Sequence, residues 1–398
     1  MTVKVRKVSD EEIQAQLKQV KQQASLQTAE TDAAVDEAVN SPGATQDEDW
    51  QEYGQSEHLK RVGDESSKLL MPWHLMLERG ELKEITLQPG SFLSDSEIKN
   101  EYNHKYYPHP ERLTTEISES TIFWYEKDAH KERPQYVNEE GKIKEYPHVL
   151  YGGEEREIAG IFLKNVIPQD VQDKAFAALE KMKWHGPSRE ETKTAVARQR
   201  GNIDPKELTI GVVRPRHKAV AMPSRDTKKN YEQLLNLVPL WEIIAACFSR
   251  VLPNYFGLHN SPRTHAGPLP DFGGIPDYLR QWLMPVNNTT PFSTVTLLRS
   301  CPASIHKDRN ARKDQHNFAC LTSLGSDFKG GRFCLIEYGM KVPVRPGDLF
   351  IAQSTREWHY NVDPVTGVKY SIICYYQRRL ANPKLQREGL GAAGLSRI

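Results

Sequence analysis

Between Phe292 and Arg379 the hydrophobic pattern falls into short runs separated by Gly, Pro and Asn. They are Ser293-Thr-Val-Thr-Leu-Leu-Arg299, Ala319-Cys-Leu-Thr-Ser323, Gly331-Arg-Phe-Cys-Leu-Ile336, Asp348-Leu-Phe-Ile-Ala352 and Tyr370-Ser-Ile-Ile-Cys-Tyr-Tyr376. Runs of this length and period, broken at Gly330-Gly331 and Arg345-Pro-Gly-Asp348, predict the strands of an all-β sandwich or barrel. Upstream the period changes. Ile158-Ala-Gly-Ile-Phe-Leu163 predicts another strand, and after Pro168 the residues Val171, Ala175, Leu179 and Met182 recur at helical spacing. A second helix is expected from about Tyr231 to Val251, burying Leu234, Leu235, Val238, Trp241, Ile244, Ala245 and Phe248. Pro239 falls inside that pattern and should kink or split it. Both stripes read as core.

The flanks carry a different signature. From Gln22 to Leu59 there are nine acidic residues and no Lys or Arg, in an Ala/Gln/Ser-rich context. Such a stretch buries too little apolar surface to offset its ordering entropy, so residues 1–60 are expected to be a disordered acidic tail. Residues 61–147 mix apolar patches with charged, Tyr-rich loops and are expected to wrap the core; His104 and His109 there lack metal-ligand spacing. Residues 381–398 read as an aperiodic C-terminal tail.

Composition narrows the class. The net charge of +1 hides segregation: residues 185–230 hold eleven Lys/Arg against five acids, densest at Arg214-Pro-Arg-His-Lys218. A cation cluster of this kind is either a solvated face or the footprint of a phosphate backbone. The five cysteines, Cys247, Cys301, Cys320, Cys334 and Cys374, lie in or beside apolar runs without Cys-x-x-Cys spacing. They read as reduced core residues of an intracellular protein. No signal peptide and no unbroken run of about 18 apolar residues is visible, so neither secretion nor membrane spanning is expected.

The candidate chemistry sits on the strand-rich stretch. His306-Lys-Asp308 is followed by His359, then by Lys369 and Ser371. Two imidazoles and one carboxylate form the facial set that leaves positions open on a non-haem Fe(II) ion. A cation beyond the second His, with a hydroxyl two residues on and so on the same strand face, suits the far carboxylate of 2-oxoglutarate.

These residues, together with His316-Asn317, Trp358-His359 and Lys369-Tyr-Ser-Ile-Ile-Cys-Tyr-Tyr-Gln377, resemble the Fe(II)/2-oxoglutarate dioxygenases. Within them the stretch is similar to the TET/JBP group of nucleic-acid methyl oxidisers, fungal members above all. Lys369 stands where the group has an Arg, and Gln377 where it has a His. The resemblance implies an α+β fold whose core is a double-stranded β-helix (jelly-roll or cupin-like) buttressed by helices, occupying residues 148–380. It implies Fe(II) on His306, Asp308 and His359, 2-oxoglutarate on Lys369 and Ser371, and O2 as oxidant. Asn317 and Gln377 become candidates for reading the base, and Arg214, Arg216, His217 and Lys218 for binding methylated DNA. The expected reaction is oxidation of 5-methylcytosine to 5-hydroxymethylcytosine or beyond, by a nuclear monomer. N6-methyladenine stays open because a Gln amide both donates and accepts. So does a protein or small-molecule substrate, in which case the basic segment is only a solvated face.

Overall fold

The computed structural model describes residues 71–101, 112–125, 154–188, 204–213, 222–252, 292–308, 318–325, 327–362, 364–375 and 377, with residue 193 and three short strands between 135 and 151. The expected tails at 1–60 and 381–398, and the Arg214-to-Lys218 segment, lie outside the described residues.

Two sheets form the core. The larger has ten strands in the order β1 (Lys83–Leu87), β3 (Thr121–Tyr125), β7 (Glu154–Leu163), β16 (Leu349–Ala352), β12 (Ala319–Leu324), β19 (Tyr370–Tyr375), β10 (Thr294–Arg299), β8 (Lys206–Val213) and β9 (Met222–Pro223), with β6 (Val149–Tyr151) also on β7. The smaller has five, ordered β11 (Ala303–His306), β17 (His359–Asn361), β14 (Phe333–Leu335), β15 (Met340–Val342) and β2 (Thr115–Glu116). Two ribbons stand apart, β4 (Gln135–Val137) with β5 (Ile143–Glu145) and β13 (Lys329–Gly330) with β18 (Pro364–Thr366).

From β10 onward the chain passes repeatedly between the sheets. The set β10, β12, β16, β19 lies in one and the set β11, β14, β15, β17 in the other, with antiparallel neighbours throughout. Strands from opposite ends of this stretch become neighbours, as β10 and β19 do. That winding is a double-stranded β-helix, and with its helices the fold is α+β. Each of the five runs singled out in the sequence supplies a strand. The third is cut short, because Ile336–Tyr338 turns into a 3-10 helix after Leu335.

The period of two sorts the strand faces. Along β19, Tyr370, Ile372 and Cys374 join the cluster shared with the helices, while Ile373 packs with Phe333, Leu335 and Val342 of the smaller sheet. The helical side is built from α3 (Gln169–Glu180), α4 (Arg225–Leu234) and α5 (Val238–Val251), after the short α1 (Trp73–Glu78) and α2 (Asp95–Glu101). Leu240, Trp241, Ile243, Ile244, Cys247 and Phe248 of α5 are buried against Leu208, Ile210, Leu297 and Cys320 of the larger sheet. Burying each such side chain contributes roughly 1.5–3 kcal/mol, enough to pin the helices on the sheet.

The second helix begins earlier than its apolar stripe suggested and is split. Ser224 starts α4 by accepting a 3.0 Å bond from the Thr227 amide, and Leu235–Leu237 forms a 3-10 turn before α5. Pro239 sits in the first turn of α5, where its missing N–H costs nothing. By length and composition Arg225–Val251 is apolar enough to cross a membrane, but most of its apolar residues here are core; Leu235, expected to be buried, is exposed.

The stretch from 61 to 147 does more than wrap. β1 and β3 extend the larger sheet, with every residue of β3 buried, and β2 pairs in parallel with β15 of the smaller one. No sheet boundary separates these strands from the residues after 148. All five cysteines are buried and none forms a disulfide.

Candidate metal centre

The ladder of the smaller sheet brings the two histidines together. β11 and β17 pair antiparallel, and His306 and His359 are Cα partners in that register. Their ring centroids stand 4.3 Å apart at 54°. Asp308 arrives from the turn after β11, where its amide donates to the Ser354 carbonyl at 3.0 Å and ties the turn to the chain leaving β16. Its Oδ1 lies 3.5 Å from His306 Nε2. One ligand atom from each of His306, Asp308 and His359 falls within 4.8 Å of the others.

The hydrogen bonds of the rings decide what the cluster offers. His306 Nδ1 is 2.7 Å from the Ser304 carbonyl oxygen, and His359 Nδ1 is 2.9 Å from that of Glu357. A carbonyl only accepts, so each Nδ1 must carry the proton; His359 Nε2 keeps its lone pair, and His306 Nε2 faces Asp308. Both rings are thereby held in the tautomer a metal ion requires, by backbone groups that cannot move away. Phe333 stacks on His359 with centroids 4.9 Å apart at 17°.

The electrostatics agree. Burial pushes the Asp308 carboxyl up, but the hydrogen bond with His306 and the charges of His359 and His306 hold it well below the usual carboxylate range. His359 is pushed down to about 4, first by burial and then by His306, with Asp308 opposing. Near neutral pH the site therefore presents an anionic Asp308 oxygen and a neutral His359 nitrogen, and two imidazoles with one carboxylate are a donor set that fits Fe(II) with positions left open.

Ser371 lies on the face of β19 that looks toward the smaller sheet and Lys369 stands one residue before that strand, and both are buried. The Lys369 ammonium donates to the Gly331 carbonyl and lies 5.8 Å over the Phe328 ring. Burial first, then the Arg345 charge, pushes Lys369 down to about 7. Among the described residues no carboxylate pairs with it. On β12, Ser323 is the Cα partner of Ser371, and its buried hydroxyl has no hydrogen-bond partner. A buried lysine with no carboxylate partner among the described residues is a costly arrangement for a protein alone and a suitable one for a carboxylate ligand.

Sequence reasoning named His306, Asp308, His359, Lys369 and Ser371; the first three converge and the last two are both buried. Gln377 is half-buried just past β19, with its main-chain N–H donating to Ser293 Oγ at 2.9 Å. Asn317, Arg214, Arg216, His217 and Lys218 lie outside the described residues. Ser323, Arg345 and Phe333 were not foreseen. Of these Ser323 alone had a signal, a polar residue closing an apolar run.

No protein-family model matches the chain. In sequence it is 21% identical over 279 residues to thymine dioxygenase JBP1 of Crithidia fasciculata, a match covering 66% of this chain and 30% of that protein. The chain thus spans less than a third of the relative it matches, and the TET/JBP resemblance read from the motifs has a counterpart in that alignment. Among solved structures it is similar to NgTET1 in complex with 5mC DNA, at 12% identity and a TM-score of 0.43, over 67% of this chain and 79% of that one. It is also similar to an oxidoreductase of the 2OG-Fe(II) oxygenase family from Burkholderia pseudomallei, at 12% identity and a TM-score of 0.33, over 55% and 84% of the two chains.

Proposed function

We propose that the chain is an Fe(II)- and 2-oxoglutarate-dependent dioxygenase that oxidises the methyl group of 5-methylcytosine in DNA to hydroxymethyl and onward. The observation that carries the reading is the convergence of His306, Asp308 and His359 on a fold that also buries Lys369 and Ser371.

His306, Asp308 and His359 would hold the iron, and Lys369, Ser371 and Ser323 the far carboxylate of the co-substrate. When bound, iron and 2-oxoglutarate supply, with O2, an oxidant able to attack a methyl C–H bond. The chain's own part is orientation and exclusion of water. The Ser304 and Glu357 carbonyls fix the rings, Asp308 supplies charge, and Phe333 closes one wall against His359. A methylated base in a duplex is covered by stacking, so it must be flipped out at a cost of roughly a few kcal/mol. Gln377 and Asn317 are the candidates for its Watson–Crick edge.

The substrate class draws on two supports. The sequence relative is named for thymine, whose methyl sits on C5 of the pyrimidine as in 5-methylcytosine. The excess of cations over residues 185–230, eleven against five, suits a phosphate backbone. N6-methyladenine is a second reading, favoured by the Gln377 amide, which both donates and accepts.

The test is direct. The protein is incubated with Fe(II), 2-oxoglutarate and duplexes bearing 5-methylcytosine, thymine only, or N6-methyladenine, and the nucleosides are identified by mass spectrometry after digestion. Hydroxymethylcytosine from the first duplex alone is the expected outcome. Succinate formation that is insensitive to salt and needs no nucleic acid moves the assignment to a protein or small-molecule substrate.

A further inference from the structure

The three metal-ligand candidates come from two chain segments, 306–308 and the start of β17, and each segment carries one long side chain beside its ligand. Lys307 lies between His306 and Asp308; Trp358 precedes His359. Both reach the same atom. Trp358 Nε1 donates to Asp95 Oδ1 at 2.6 Å, and Lys307 Nζ stands 3.7 Å from that oxygen and 5.1 Å over the Trp358 ring. Lys307 Nζ is also 3.8 Å from Glu337 Oε2.

Asp95 is itself well anchored. It opens α2, and its other oxygen pairs with Lys99 one turn on. Ile98 of the same helix is buried with Ile305 and Tyr360, which flank His306 and His359 respectively. The approach to α2 is tied to the smaller sheet as well, since the Phe92 amide donates to the Glu337 carbonyl at 3.1 Å.

We infer that Asp95 is a positioning residue for the metal centre, a single carboxylate that clamps Lys307 and Trp358 and so sets the direction of the imidazoles beside them. The mechanism is geometric. Successive side chains leave an extended chain on opposite sides, so a fixed outward residue fixes the rotation of its inward neighbour. With both outward residues held on one oxygen, the segments cannot turn independently, and the separation of the two Nε2 atoms is held. This rests on the metal-site reading above, and it makes α2, some two hundred residues earlier in the chain, part of that site. An acid in the first turn of a helix also favours the helix on its own account, and the experiment separates the two roles.

Co(II) serves as the probe, because its d–d bands report ligand geometry without any turnover. The full chain and its Asp95→Ala, Trp358→Phe and doubly substituted variants are titrated with Co(II), and the metal-free proteins are melted in parallel. Asp95→Ala is expected to weaken Co(II) binding about tenfold, the low end for groups acting through a ligand's neighbours, and to shift the bands. Trp358→Phe should do likewise, and the double variant should cost no more than the larger single loss, since both remove one contact. Unchanged affinity and bands in Asp95→Ala, or losses that multiply in the double variant, overturn the proposal. Should Asp95→Ala not fold, Asp95→Asn carries the same test. It keeps an acceptor for Trp358 and removes the charge from Lys307, so a smaller loss with an unaltered metal-free melt is expected, and no loss overturns the idea. A parent protein that binds no Co(II) overturns the metal centre itself, a result distinct from failure of the clamp.

Discussion

His306 and His359 are direct partners across one antiparallel ladder, so the separation of the two imidazoles is set by the spacing of the sheet. Asp308 is the ligand with freedom, held by its amide on Ser354 and by the rings it faces. Replacing His306 or Asp308 with Ala should therefore remove Fe(II) binding and drop turnover below detection. Under the proposed function DNA affinity resides in the cations of residues 185–230 and should stay near the parent value. Metal titration and a DNA-binding isotherm on the same preparations check both halves; a variant that loses DNA binding as well would place the ligands in the DNA interface.

Lys369 reaches its position because residue 331 has no side chain. A Cβ at Gly331 would stand 2.7 Å from Lys369 Cδ, and the backbone there is left-handed at φ +64. Gly331→Ala should cost roughly 1–2 kcal/mol of stability from the backbone alone. It should also displace the ammonium and raise the KM for 2-oxoglutarate. Lys369→Ala removes a charge-assisted bond worth about 1.5–3 kcal/mol, so the co-substrate requirement should rise roughly 10- to 150-fold. Denaturant melts and co-substrate titrations read the two effects separately.

The same lysine makes co-substrate binding depend on pH. Burial and then Arg345 push it down to about 7 in the free protein, so above that pH it is mostly neutral. An anionic ligand needs the ammonium, and binding must then draw a proton from solution. Apparent affinity for 2-oxoglutarate should be flat below pH 7 and fall about tenfold per pH unit above it, until the higher pKa of the complex is reached. Lys369→Arg, charged at every pH in question, should abolish that slope while largely keeping activity. Equilibrium binding to the metal-loaded protein without O2, across pH 6 to about 9, gives the answer.

Much of this was legible in the sequence where the period was clean. The runs that became β10, β12, β16 and β19 are apolar enough to be seen unaided, and the spaced His306, Asp308 and His359 come together in the fold. The strands that carry the histidines were not legible. β11 and β17 are four and three residues long and end or begin on a polar ligand, too short for a period to register. β1 and β3 were missed for another reason. They lie among charged loops, and β1 is exposed along most of its length, so only pairing with β3 reveals it as sheet. The Nδ1 bonds that fix the tautomers go to main-chain carbonyls, which no residue type announces.

Gln377 separates substrate reading from chemistry. Its main-chain N–H donates to the Ser293 hydroxyl just past the β10–β19 ladder, a bond that does not involve its side chain. If its amide contacts the flipped base, Gln377→Ala leaves a buried polar edge of that base unpaired, at about 1–3 kcal/mol, or roughly 5- to 150-fold in kcat/KM for DNA. Decarboxylation of 2-oxoglutarate without DNA should be unaffected, because Lys369 and the metal ligands are untouched. Gln377→His should shift the ratio of products from 5-methylcytosine and N6-methyladenine duplexes, since an imidazole cannot donate and accept in the pattern of an amide. A Gln377→Ala protein whose DNA kinetics match the parent would remove this residue from base recognition and leave Asn317 as the candidate.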